Sequence, residues 1–327
     1  MRFPTDAAPA GADWTARQRS SSLRILRQTV SDNFQGMGWT MYISRRDFFL
    51  GGAAFVAANA LPAGAIAQGV GGRNTIAAPA DGTIRIAHCG DPQFGFGKAP
   101  EGKAYDQDLE RFVRVIDAIN RERPTLAFIA GDMTHKAEDV TRDWPRLLKM
   151  FKVPVVVTPG NHDMGNSLRR SRLERFREVF GYDYASFKFG RWRFISGNTQ
   201  YWYKTEAEDE QRKYEEWLAA EFAGARAAGE PVMLGGHVAP FIANAREPDS
   251  KENHPRAGRA ERLKMYLDGG TRFYLSGHTH RLILRGYKGM PILNPETTCL
   301  NFDGLPFGFR MLTVHPDGNW GWDFRRV

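Results

Sequence analysis

Five short apolar runs, each followed by a turn rich in polar side chains, constrain this chain more than any other feature. The runs span residues 83–89, 125–130, 153–157, 232–234 and 272–275. Amphipathic stretches lie between them, and in residues 108–120 Leu109, Phe112 and Ile116 recur at helical spacing. Short buried strands alternating with helices are typical of an α/β domain.

Residues 168–179 and 208–222 are predicted to form two further helices, and residues 282–322 short strands and turns. Residues 82–327 contain neither a repeat of solenoid period nor a break in composition. The sequence therefore predicts one domain over residues 82–327, preceded by a Gly/Ala/Pro-rich linker at residues 68–81.

The residues before this domain have the order of an export signal. Arg45 and Arg46 precede two phenylalanines and a mildly apolar run that ends in Ala65-Ile66-Ala67. This resembles a twin-arginine signal peptide over residues 41–67, with export by the twin-arginine machinery to the periplasm or medium. The run is too short and too interrupted for a stable transmembrane span. Residues 1–40 are interpreted as a disordered extension or as a start assigned too far upstream of Met41.

Charge and cysteine content exclude some functions and leave others open. Residues 68–327 carry 38 basic and 33 acidic side chains, a balance that fits an anionic substrate and many other proteins. Cys89 and Cys299 are the only cysteines, so a thiolate zinc site is not expected. After export they could form a disulfide, and two separate buried thiols are the alternative.

Several known site motifs are missing from the sequence. The chain has no phosphate-binding loop of the Gly-Lys-Ser/Thr type, no Gly-x-Ser-x-Gly nucleophile elbow and no nucleic-acid-binding motif. A nucleotide-binding or serine hydrolase site of those types is therefore not predicted.

The polar clusters follow the carboxyl ends of the predicted strands. Loops at that edge of an α/β sheet converge on one crevice, which is where ligands bind. Flanking glycines allow the backbone to turn sharply there. The candidate ligands supply carboxylate and amide oxygens and imidazole nitrogens, a mixture that suits Mn, Fe or Zn. They are Asp91, Gln93, Asp132, Asn161, His237, His278 and His280. Seven such groups are too many for one tetrahedral ion.

Asp-x-Gln at residue 91, Gly-Asp at 131, Gly-Asn-His-Asp at 160, Gly-His at 236 and Gly-His-x-His at 277 occur in that order. Together they resemble the motifs of the calcineurin-like metallophosphoesterase superfamily, and Asp91 to Gly95 resembles a subgroup related to a eukaryotic phosphoprotein phosphatase. The resemblance implies a four-layer α/β/β/α sandwich.

The same resemblance implies two divalent or trivalent metal ions about 3.5–4 Å apart. Asp132 would bridge them. One ion would be completed by Asp91, Gln93 and His280, and the other by Asn161, His237 and His278. A metal-activated hydroxide would attack phosphorus, and His162 would protonate the leaving oxygen, with Asp163 orienting the imidazole. Gln93 departs from the histidine common in the superfamily, which leaves the metal identity open.

Further residues are candidates for binding a phosphorylated substrate. His135 follows Asp132 closely, and Tyr201 and Trp202 follow another predicted strand. The segment 239–259 is interpreted as a solvated loop, with contact to a substrate phosphate or a lid over the site as the alternatives. The predicted function is hydrolysis of phosphomonoesters or phosphodiesters. The alternatives are a nucleotide- or pyrophosphate-directed hydrolase and a non-catalytic binding protein with a degenerate site, against which the intact pair His162 and Asp163 argues.

Overall fold

The structure is a computed structural model that describes residues 69–100 and 103–327. The proposed signal peptide at 41–67 and the proposed extension at 1–40 lie outside the described residues. No helix in the described ranges is long and apolar enough to cross a membrane.

The described chain alternates strands with helices over most of its length. The strands are β1 Arg73–Thr75, β2 Ile84–Cys89, β3 Leu126–Ile129, β4 Val155–Val157, β5 Ala185–Phe189, β6 Trp192–Ser196, β7 Val232–Gly235, β8 Thr271–Leu275, β9 Ile283–Tyr287, β10 Met290–Asn294, β11 Gly308–Val314 and β12 Trp320–Arg326. The helices are α1 Ala104–Glu122, α2 Val140–Met150, α3 Arg170–Phe180, α4 Glu208–Ala227 and α5 Arg259–Asp268.

The strands form two mixed sheets. One has the order β12-β11-β2-β3-β4, and the other has the order β1-β5-β6-β7-β8-β10-β9. Within them β2, β3 and β4 are parallel to one another, and so are β6, β7 and β8. The crossover connections between these parallel strands contain helices, as parallel pairing requires.

The two sheets pack face to face. Phe128 in β3 contacts Phe194 in β6 at a ring-centroid distance of 5.0 Å. The Ser196 hydroxyl donates to the Val157 carbonyl across the interface at 2.6 Å. On the outside, α1 and α2 meet through Phe112 and Trp144, and α4 and α5 meet through Phe222 and Tyr266. The architecture is the predicted four-layer sandwich, because each sheet buries one face on the other sheet and one on helices.

Two elements correct the sequence analysis. The expected linker at 68–81 contains β1, which pairs in parallel with β5. An edge strand needs only backbone partners on one side, so its side chains carry little strand signal. Helix α2 was not predicted, and Pro145 lies inside it. Burial of Trp144 and Leu147 stabilises this helix although the proline lacks an N–H donor.

The remaining boundaries agree with the sequence to within a few residues, and β2, β3, β4, β7 and β8 lie where the apolar runs predict strands. Cys89 and Cys299 are both buried free thiols, so the alternative without a disulfide is the one observed. The carboxyl ends of β2, β3 and β4 in one sheet and of β7 and β8 in the other carry the loops with the candidate ligands.

Candidate metal centre

Asp132, directly after β3, lies at the middle of the converging loops. One carboxylate oxygen, Oδ1, accepts the backbone N–H of His162 at 2.8 Å. The other, Oδ2, lies 3.5 Å from Nε2 of His237. The Asp132 carbonyl accepts the backbone N–H of Gln93 at 2.8 Å. Asp132 therefore touches loops that follow β2, β4 and β7, which come from both sheets.

One side of the centre, which we call the histidine half, consists of Asn161, His237 and His278. Nε2 of His237 lies 3.0 Å from Oδ1 of Asn161 and 3.1 Å from Nδ1 of His278. The other ring nitrogens face backbone carbonyls: Nδ1 of His237 lies 2.6 Å from the Ala130 oxygen, and Nε2 of His278 lies 2.8 Å from the Lys251 oxygen. A carbonyl can only accept, so each of these nitrogens carries the N–H in the neutral ring.

These hydrogen bonds leave two imidazole lone pairs and an amide oxygen aimed at one point. The side-chain amide of Asn161 donates to Asn166 at 2.7 Å, which turns its oxygen inward. Lone pairs this close repel one another unless a cation or proton lies between them. Ligand atoms of Asp132, His237 and His278 all lie within 4.8 Å of one another. The histidine half thus has the donors and the orientation of a metal site.

The other side, which we call the glutamine half, consists of Asp91, Gln93 and His280. Nδ1 of His280 lies 2.6 Å from the Leu300 carbonyl, which leaves Nε2 as the lone-pair nitrogen, 3.8 Å from Oδ1 of Asp91. Both oxygens of Asp91 accept the backbone N–H of His278. Oε1 of Gln93 is buried without a hydrogen-bond partner. An orphaned buried oxygen next to a carboxylate and an imidazole fits a bound cation.

The backbone around these ligands is strained. Among non-glycine residues in the described ranges, eight have positive φ, and five of these are Asp91, Gln93, Asp132, His278 and His280. Left-handed conformations cost free energy for such residues and cluster at functional sites. The loop after β4 also packs closely against Asp132, because a Cβ at Gly160 would overlap the Asp132 carboxylate. The chain gives up local stability to place these groups.

The electrostatics also describe a site built for positive charge. Burial raises the pKa of Asp91, and the neighbouring Asp132 carboxylate raises it further. Burial opposes protonation of His237, but Asp132 and Asp91 outweigh it and raise the pKa of that imidazole to about 9. Burial and the adjacent His237 lower the pKa of His278 to about 3. A proton on His237 therefore takes the place of a cation between these groups, so the residues present fit a metal centre.

His162 lies beside the centre with one ring nitrogen committed. Its Nδ1 lies 2.9 Å from the carbonyl oxygen of His135, which leaves Nε2 free to hold a proton for transfer. The His135 ring stacks on the His162 ring with centroids 4.8 Å apart, and its role in substrate binding remains a prediction.

Asp163 has a different role from the one expected for it. Its two oxygens accept the backbone N–H groups of Met133 and Gly160 at 2.9 and 2.8 Å. Asp163 is buried and ties the loop after β4 to the loop after β3. The expectation that it orients the His162 imidazole is corrected, since the His135 carbonyl makes that contact.

The two aromatic residues proposed as substrate-binding groups pack elsewhere. Tyr201 is fully buried, donates to Asp183 at 2.9 Å and stacks on Tyr214. Trp202 packs against His254 and under the guanidinium of Arg262. The sequence shows that both follow a strand, but only the structure shows that this loop turns into the core. Full burial contradicts the assignment of Tyr201 to the substrate site, and Trp202 contacts His254 and Arg262 rather than the candidate ligands.

Two other aromatic residues lie at the centre instead. Phe96 contacts the rings of His135 and His280 at 5.1 and 5.2 Å, and Phe302 stacks on His280 at 5.0 Å. Phe96 is three residues past Gln93, so its proximity to a ligand was the available signal. Phe302 follows His280 by 22 positions, and the sequence offers no comparable cue for it.

The segment 239–259 is also closer to the centre than a solvated loop would be. Its Lys251 carbonyl holds His278, and the buried Arg259 donates to the carbonyls of His254 and Glu247. A pocket of about 260 Å³ opens beside Asn161 and His278, with Tyr203, Lys204 and Lys251 among its lining residues. The expectation of a solvated loop is therefore wrong for Lys251 and Arg259, whose contacts hold the segment against the rest of the protein.

Comparison with known proteins agrees with the fold. The family model "Calcineurin-like phosphoesterase" matches residues 84–282, and the chain belongs to that family. The protein is therefore a phosphoester hydrolase, and its family implies divalent metal ions.

The chain is 28% identical over 244 residues to the bovine serine/threonine-protein phosphatase CPPED1, covering 68% of this chain and 78% of that one. It is 25% identical over 282 residues to the human protein of that name, covering 78% and 90%. Its fold resembles the crystal structure of a dimetal phosphatase from Danio rerio, with a TM-score of 0.53 and 13% identity over 74% of this chain and 96% of that one.

Proposed function

We propose that this chain is an exported phosphoesterase that hydrolyses phosphomonoesters or phosphodiesters at a dinuclear centre. Asp132 would bridge two ions, with the glutamine half holding one and the histidine half the other. Mn, Fe and Zn all suit this mixture of oxygen and nitrogen ligands. When bound, such ions polarise the phosphoryl group and acidify water.

In this proposal the chain's own groups orient the substrate and move one proton. His162 holds a proton at Nε2 while the His135 carbonyl fixes Nδ1. Water adds to phosphorus, the bond from phosphorus to the leaving oxygen breaks, and His162 gives its proton to that oxygen. Asp163 keeps the loop that carries Asn161 and His162 against Asp132 through its two backbone contacts.

One observation carries the proposal most directly. Nε2 of His237 lies 3.1 Å from Nδ1 of His278, and both rings have their N–H groups turned away toward carbonyls. With both N–H groups turned away, the two facing nitrogens need a proton or a cation between them, and core packing alone would not place such a pair beside a buried carboxylate. A metal ion would take the place of the proton that His237 otherwise holds there.

Metal counting and hydrolysis of the purified protein test this function together. We expect about two ions per chain, activity on generic phosphomonoesters or phosphodiesters, loss of activity with a chelator and recovery with Mn, Fe or Zn. A protein that binds the ions but hydrolyses neither class would be a non-catalytic binding protein. Faster turnover of nucleotides or pyrophosphate than of simple esters would favour a nucleotide-directed hydrolase.

Export is supported by the sequence alone. Replacing Arg45 and Arg46 with lysine should keep the protein in the cytoplasm, while the parent reaches the periplasm or medium after cleavage near Ala67. Fractionation with an antibody against the domain measures this. Unchanged export of the double-lysine variant would contradict the twin-arginine proposal without touching the proposed chemistry.

A further inference from the structure

Exposed apolar surface is concentrated beside the metal centre. In residues 69–100 and 103–327 the large hydrophobic side chains that are exposed are Val70, Phe302 and Leu305, and the last two lie on one loop. The Phe302 side chain is 52% exposed. A scattered exposed hydrophobe needs no explanation, but an exposed aromatic ring beside a catalytic centre points to a binding role.

The loop that carries Phe302 is held in place by the ligand loop. The backbone N–H of Phe302 donates to the His280 carbonyl at 2.8 Å, and Nδ1 of His280 donates to the Leu300 carbonyl. Asp303 accepts the backbone N–H of Leu282 at 2.7 Å. Because these contacts order the loop, the Phe302 ring is presented with little entropy left to lose on binding.

Phe96 and Phe302 form an aromatic corner on the side of the centre where His162 lies. Their rings meet edge to face, with centroids 6.1 Å apart. Phe96 is also 6.3 Å from the His162 ring and stacks on His135. In the proposed reaction His162 protonates the leaving oxygen, so the leaving group must lie next to this corner.

We propose that Phe96 and Phe302 form a stacking subsite for an aromatic leaving group, which makes aryl phosphoesters preferred substrates. The inference rests on the proposed function, because it uses His162 to locate the leaving group. Aromatic rings gain free energy from edge-to-face and offset-stacked contacts beyond the area they bury. An aliphatic group of equal size gains free energy only from the apolar surface that it buries.

Two substrates of similar size separate ring stacking from simple burial: phenyl phosphate and cyclohexyl phosphate. Phe302→Leu keeps an apolar side chain but removes the ring. We expect kcat/KM for phenyl phosphate to fall about fivefold, and for cyclohexyl phosphate by less than about twofold. Leu305→Ala is the matched control, since it alters the same loop without removing a ring, and it should leave both values unchanged.

Competitive inhibition supplies a readout that involves no turnover. Phenylphosphonate should lose affinity in Phe302→Leu by about the same factor, whereas methylphosphonate should not. Metal content measured on each variant shows whether His280 still binds its ion. Phe96→Leu should likewise weaken turnover of phenyl phosphate and binding of phenylphosphonate more than those of the compounds without an aromatic ring.

Two results would overturn the subsite: equal losses for phenyl and cyclohexyl phosphate, or no loss for either. A parent protein that hydrolyses both esters in those experiments keeps its proposed function. A parent that hydrolyses neither of these esters nor a generic phosphodiester, with metal bound, removes the proposed function itself. The two failures are therefore distinguishable.

Discussion

The two halves of the candidate centre are built differently. In the histidine half, each imidazole has its N–H satisfied by a backbone carbonyl and the Asn161 amide is turned by Asn166, so every ligand is oriented. In the glutamine half, Oε1 of Gln93 has no partner at all. Asp91, Gln93 and His280 are buried, whereas Asn161 and His278 are partly exposed.

In the proposed dinuclear centre, this difference predicts unequal affinities for the two ions. Orienting hydrogen bonds increase metal affinity, and an amide oxygen is a weaker ligand than imidazole for first-row metals. We therefore expect the histidine half to bind first and the glutamine half second, although the latter lies deeper. Asp132→Asn should affect both halves and His162→Ala neither, whereas proton release tests the histidine half and Gln93→His the glutamine half.

Asp132→Asn should have the largest effect, because it weakens both halves together. Removing the shared negative charge should lower metal content at both positions and reduce kcat/KM by at least about a thousandfold. Metal analysis and phosphatase assays measure this. Asp317→Asn, on an exposed loop, is the control. An Asp132→Asn protein with two ions and near-parent activity would exclude a bridging role.

His162→Ala should reduce activity by about 100- to 10,000-fold on esters with poor leaving groups while both halves keep their ions. The loss should shrink for good leaving groups, which need no proton. Rates for a series of esters with different leaving-group pKa values test this. If the variant is as fast as the parent on the poorest leaving group, His162 is not the general acid.

Metal binding to the histidine half should release about one proton near pH 7. In the metal-free protein the pKa of His237 is raised to about 9, so its ring is charged below that pH and must lose the proton to bind a metal. Affinity should therefore rise about tenfold per pH unit up to about pH 9, a total of about a hundredfold from pH 7. Calorimetry in buffers of different ionisation enthalpy counts the protons. Zero release would contradict the charged state of His237.

Gln93→His should strengthen only the glutamine half, by about tenfold, because imidazole replaces an amide oxygen. Stepwise metal titration should show the second association tightening while the first is unchanged. Gln93→Ala is the opposite variant and should weaken the second step. Equal changes in both steps would show that the two halves are not independent, and the comparison above would fail.

The candidate ligands could be proposed from the sequence because strand ends can be recognised locally. Apolar runs such as β4, followed by Gly160, Asn161 and His162, identify the loops, and parallel strands place those loops at one edge. The aromatic residues were not accessible in this way. Tyr201 and Phe302 both lie in loops, and no local pattern distinguishes the one that packs into the core from the one that faces the centre.

The sequence by itself determined most of the order of strands and helices, although not β1 or α2, and the residues that could bind metal, because these depend on periodicity and on side-chain type. The class of chemistry followed from the resemblance of the five motifs to those of a known family. Only the tertiary structure decided which atoms meet. Backbone carbonyls of Ala130, Lys251 and Leu300 select the nitrogen that each histidine offers, and the His135 carbonyl rather than Asp163 holds His162. Every residue has a backbone carbonyl, so side-chain type does not reveal which carbonyl will accept a given imidazole N–H. That choice depends on how distant segments of the chain fold together.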